Sequence, residues 1–194
     1  TAVLDTLQQN GGSTTLGGGT LTVNNTLTEG GGTLTLDHGT LIAGSVIVQS
    51  SAVLSGSGSL QANVSSAGEV DVVGLVVLTG NYTQTGGVTN VSAGSTLMVS
   101  AALSEQGGQL NLNGASLQAN GGLTIGSGAT LSGSGTITAD VTNAGTLYVG
   151  SYGVAGTLHI SANAAAGIHG NYTQTGSGAL DMAIFGSGPS DQVF

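Results

Sequence analysis

The sequence predicts an all-β chain wound as a right-handed parallel β-helix, a β-solenoid of about 9–10 short coils. Three observations predict it: brief strands alternate apolar and small polar residues, glycine punctuates them every few residues, and whole blocks of text return in tandem. In 194 residues there are 37 Gly, one Pro, no Trp and no Cys. The hydrophobic share is 39%, too high for a disordered chain. With only 3% aromatics, the core has to be thin and aliphatic.

Each predicted strand follows from period-2 alternation, which buries one face of a strand and wets the other. Thr20-Leu21-Thr22-Val23 and Thr33-Leu34-Thr35-Leu36 open the series. Gln109-Leu110-Asn111-Leu112, Gly122-Leu123-Thr124-Ile125 and Thr136-Ile137-Thr138 continue it. Thr suits the outer positions because its branched Cβ favours extended backbone. Gly-Gly and Ser-Gly pairs between strands supply tight corners. No window reads as a helix, since Gly or Ser interrupts every candidate.

The repeat is long. Gly80-Asn81-Tyr82-Thr83-Gln84-Thr85-Gly86 returns as Gly170-Asn171-Tyr172-Thr173-Gln174-Thr175-Gly176. Leu54-Ser55-Gly56-Ser57-Gly58 returns as Leu131-Ser132-Gly133-Ser134-Gly135. At an offset of 76, Leu27 falls on Leu103, Glu29 on Glu105, Gln8 on Gln84 and Gly11 on Gly87. The chain therefore reads as one continuous solenoid, 1–194, of tandem units at about 1–79 and 80–169, with a third starting at 170–194. The second unit is longer, and the extra residues are placed around Tyr148 to Gly153. Short strands, a uniform aliphatic interior and tandem order favour stacked coils over a sandwich. At roughly 20 residues per coil and ~4.8 Å per rung the rod would be about 45 Å long.

The blocks Gly-Gly-Thr-Leu-Thr and Asn-Tyr-Thr-Gln-Thr-Gly-Gly resemble the β-strand repeats of autotransporter passenger domains and related bacterial surface proteins. Gly156-Thr157-Leu158-His159-Ile160, followed by Gly170 to Thr175 and then Asp191-Gln192-Val193, carries most of the likeness. The resemblance implies a right-handed β-helix on the extracellular face of a bacterial cell, with adhesive or scaffolding roles and no catalytic residues to carry over. The insert around Tyr148 to Ala155 departs from the pattern, where such repeats often have a Pro-Gly turn.

Charge narrows the function classes. Nine acids face no Lys or Arg, for a net charge of −9. Nucleic acid is excluded as a partner, because phosphates need cations to neutralise them. No apolar run approaches the about 20 residues of a membrane-spanning helix, so membrane insertion is not expected. No signal peptide is visible and the chain starts at Thr1, which reads as a processed or excised piece.

Candidate site residues are few. Glu69 and Asp71, at i and i+2, share a strand face and could serve as a glycosidase pair or hold Ca²⁺. They read first as two solvated acids, and the calcium β-roll nonapeptide is absent. His38, beside Asp37, is expected to point away from it across the strand. His159 is expected on an outer face, and the histidines, His169 included, read as exposed polar residues before metal ligands or catalytic groups. Tyr82 and Tyr172 hold equivalent positions and read as packing residues before ligand platforms. Tyr148 and Tyr152, in the insert, are the remaining ligand or packing positions. No catalytic residue, cofactor or metal is expected. The leading function is a non-catalytic extracellular rod: an adhesin passenger segment or a filament subunit, associating with itself end to end or laterally or with flanking solenoid. A module binding a glycan or host protein comes second. A polysaccharide-active β-helix enzyme comes third, lacking cations for acidic sugars and aromatic platforms for stacking.

Overall fold

The structure, a computed structural model, describes residues 1–150, 155–182 and 192–193. It is a parallel β-solenoid of about eight turns. Among the described residues all strands join a single 16-stranded sheet with parallel pairing. No α-helix occurs among the described residues, and the one short helical piece is a 3₁₀ turn, Ala164–Ala166. At ~4.8 Å per rung, eight turns span about 38 Å.

Each turn has three short faces. In the second turn face A is 20–23, face B 27–29 and face C 33–36, all within the strand Thr20–Val48, which bends through its corners without losing its ladder. Burial alternates along the faces of the central turns, and the inner positions stack in columns. On face C, Leu34 pairs with Leu54, Leu54 with Val70, Val70 with Thr89, Thr89 with Leu110, and Leu110 with Leu131. Leu34, Leu110 and Leu131 have no exposed surface. Parallel strands normally need long crossovers; here the next two faces serve as the crossover, so short loops suffice.

Two features of the sequence reading need correction. Nine to ten coils were expected and about eight are present, because turn length varies. Leu54 pairs with Val70 after 16 residues, Leu110 with Leu131 after 21, and Leu147 with Leu180 after 33. Nor do the extra residues of the second unit displace Tyr148. That residue stays in the strand Thr146–Val149, paired to Ser132 on one side and Asp181 on the other. The lengthening falls between Val149 and Tyr172, partly in the excursion that carries the 3₁₀ turn.

The Leu-Ser-Gly-Ser-Gly blocks explain themselves at the corner between faces C and A. Gly56 has φ +103° and Gly133 has φ +121°. A Cβ on Gly56 would lie 2.2 Å from the Leu36 carbonyl oxygen, and one on Gly133 would lie 1.8 Å from that of Leu112. Only glycine lets the rungs close up there. The core is tight: a void of about 20 Å³ among Leu54, Leu60, Val70, Leu78, Tyr82 and Leu97 has room for about one water.

Candidate functional site

Polar side chains enter the interior on face B, where each three-residue strand points its first and third residues inward. The first positions are apolar or aromatic: Val64, Tyr82, Leu103, Leu123 and Val141 stack in that order. The third positions are Ser66, Gln84, Glu105, Ile125 and Asn143. Gln9 and Glu29 begin the same column near the N-terminal end. Val48, paired to Ser66, and Ile125 are the apolar members of the column, and the six polar ones are all buried.

The amides of the column hold backbone. Gln84 Nε2 donates to the carbonyls of Gly87 (3.3 Å) and Gln109 (2.9 Å), tying one turn to the next at the corner. Gln84 Oε1 accepts from Thr89 Oγ1. Thr89 stands in the leucine column of face C with no exposed surface, so its hydroxyl has to be satisfied internally. Having donated its one proton to Gln84, it accepts from the Tyr82 phenol at 2.5 Å. Burial first, and the Glu105 carboxyl second, push the Tyr82 phenol pKa far up. Tyr82 is 2% exposed and cannot stack against a ligand. Tyr172 makes a matching set: it donates to Gln174 Oε1 (3.1 Å) and accepts from Asn143 Nδ2 (3.0 Å).

The N-terminal unit repeats this device on Gln9, not on Gln8. Gln9 Nε2 donates to the carbonyls of Gly12 and Thr33, and Thr14 Oγ1 donates to Gln9 Oε1. The matching of Gln8 to Gln84 and Gly11 to Gly87 is therefore off by one residue. On a strand one residue is the difference between inside and outside, and Gln8 is exposed.

Glu29 and Glu105 are the residues that sequence reasoning passed over. Both are 0% exposed. Neither carboxyl has a hydrogen-bond partner for either oxygen among the described residues. Burial pushes the Glu29 carboxyl up to about 7 and the Glu105 carboxyl up to about 8.

Outside the core, one corner carries a ladder of short amides and acids. Asn25 Nδ2 donates to Asp5 Oδ1 (2.8 Å), and Asn81 Nδ2 to Asn63 Oδ1 (3.2 Å). Farther along, Asp140 Oδ1 accepts the backbone N–H groups of Asn171 and His169. The Asn171 N–H foremost, then His169, hold the Asp140 carboxyl below its ordinary range against some desolvation. On face C a second ladder runs from Ser132 Oγ to Asn111 Oδ1, from Asn111 Nδ2 to Asn90 Oδ1, and from Asn90 Nδ2 to Asp71 Oδ1.

The remaining candidates stay apart. Glu69 and Asp71 share the outer side of the strand Glu69–Leu78, and Asp71 is engaged by Asn90. His159 is exposed on the strand Thr157–Ser161. His38 and Asp37 do not point apart: His38 sits at a corner with φ +59°, which swings its ring to within 3.0 Å of Asp37. Tyr148 is half-buried on the outer side of face C, and Tyr152 lies outside the described residues. No three His, Cys, Asp or Glu side chains converge on a possible metal position among the described residues.

No protein-family model, curated protein or solved structure matches the chain. What stands is the architecture, a β-solenoid repeat protein.

Proposed function

We propose that the chain is a non-catalytic extracellular rod of the bacterial-surface, autotransporter-passenger kind, which presents uncharged flanks for contact with other rods. The observation that carries this reading is how the acids are distributed. Glu69, Asp71 and Asp181 lie on the outer side of face C, Asp37 at its corner, and Asp5 and Asp140 in the corner ladder. The outer column of face B holds none. Ser65, Thr83, Ser104, Thr124, Thr142 and Thr173 follow one another there, one hydroxyl per rung. A chain of net charge −9 repels its copies at long range. The outer column of face A, through Thr40, Ser59, Val77, Met98, Gln118 and Thr138, is likewise free of acids, and the hydroxyl column of face B gives two rods an approach that brings no carboxylates together.

Imaging at increasing protein concentration tests this. Side-by-side rods are expected for the native chain. The Thr83→Glu/Thr124→Glu double variant, with like charges on face B, should remain as single rods. Ser132→Glu, on face C, should associate as the native chain does. Single rods at every concentration would remove the lateral-contact reading. Polysaccharide turnover lost on changing Glu69 or Asp71 would remove the non-catalytic one.

A further inference from the structure

Two acids in the interior are a costly choice for a chain that places its other described acids in water or in ladders. A buried carboxylate requires a cation or several donors. This chain has no Lys or Arg to offer. The strand Thr20–Val48 carries Glu29, and the three strands that pair with it, Ala2–Leu4, Leu7–Gly17 and Ala52–Ser66, contain no titratable side chain. Asp37 and His38 share its strand but sit at an exposed corner. The strand Leu103–Ala119 carries Glu105. The four strands paired with it contribute one titratable group, the Tyr82 phenol, which is committed to Thr89. Beside Glu29 stands Gln9, and beside Glu105 stands Gln84. Both amide N–H groups are spent on backbone carbonyls.

We propose that Glu29 and Glu105 are a matched pair of proton-holding carboxyls, one per tandem unit, which fold into place protonated and whose ionisation weakens the turns that enclose them. The solenoid is thereby a pH-responsive rod, tightest in mild acid and slackest in mild alkali.

The sign follows from the two states. Unfolded, each carboxyl ionises near 4.5; folded, it keeps its proton to about 7 for Glu29 and about 8 for Glu105. Below 4.5 both states are protonated and the full stability is present. As pH rises through the window the unfolded state alone loses its proton, so stability falls until the folded pKa is passed. Each pH unit within the window changes the folded-to-unfolded ratio by up to about tenfold per site. The fall from pH 4.5 to pH 8 is on the order of a hundredfold or more for each carboxyl. The variant used for comparison retains His38, His159 and His169, so the difference between the two chains belongs to the two carboxyls.

The test is urea unfolding of the native chain and of the Glu29→Gln/Glu105→Gln variant, between pH 4.5 and pH 8.5. The native midpoint should fall steeply relative to that of the variant, whose neutral, isosteric amides cannot ionise. A second measurement needs no variant to fold. At pH 6, where water-exposed acids are ionised, the folded native chain should show the infrared carbonyl band of a protonated carboxylic acid, lost on unfolding. Equal pH dependence in native and variant chains would overturn the proposal, as would absence of that band.

Discussion

At the scale of single residues, the molecule is governed by which side of a strand a polar group falls on. Tyr82, Thr89 and Gln84 form a closed chain of donors and acceptors inside the core. Tyr82→Phe should cost about 1–3 kcal/mol in urea unfolding, since Thr89 loses its donor in a dry site. Adding Thr89→Val should give a double variant less destabilised than the two single changes sum to, because the Tyr82–Thr89 bond is lost once and not twice, the cost at Gln84 Oε1 remaining. Glycine positions divide just as sharply. Gly133→Ala places a Cβ against the Leu112 carbonyl and should destabilise by about 3 kcal/mol or more, through close approach and strained φ together. Gly114 also has positive φ, +74°, but open space around it. Gly114→Ala should therefore cost only about 1 kcal/mol.

At the scale of the strand and its rung, stability comes from identical columns laid one on another. Leu131 is fully buried between Leu110 and Leu147. Leu131→Ala opens a cavity that rigid rungs above and below cannot close, at about 2–5 kcal/mol. The corner ladder is worth less. Asn81 links Asn63 to the Ala102 N–H, but water reaches it, so Asn81→Ala should cost about 1 kcal/mol. The two losses are distinguishable by amide exchange. Leu131→Ala should speed exchange over neighbouring rungs of the second unit, and Asn81→Ala should do so only beside its corner.

At the scale of the whole rod, strands pair from one turn to the next among the described residues, which makes the molecule quasi-one-dimensional. Its acids have no Lys or Arg to pair with and repel one another through solvent. Added salt at pH 8 should therefore raise the unfolding midpoint modestly by screening. The Glu29→Gln/Glu105→Gln variant should keep this salt response while losing the pH response, because buried carboxyls are poorly screened. The two electrostatic behaviours thus belong to different places: the outside of the rod answers to salt and its inside to protons.

The sequence by itself determined that the chain is a stack of short parallel strands. Leu-x-Leu alternation, Gly corners and tandem blocks such as Gly-Asn-Tyr-Thr-Gln-Thr-Gly admit little else once Gly or Ser interrupts every helical window and aromatics are only 3% of the chain. It also contained, unread, the place of the two buried acids. Leu27-x-Glu29 and Leu103-x-Glu105 match in tandem, and period 2 puts each Glu on the same side as its Leu. What only the tertiary structure decided is where straight strands give way to corners and which turn is long. The corner at His38 joined a pair that strand geometry would separate, and the long turn to Leu180 changed the number of coils. Parity along a strand is local and survives in the text, whereas the path through a corner depends on how closely the neighbouring rung lets the backbone approach.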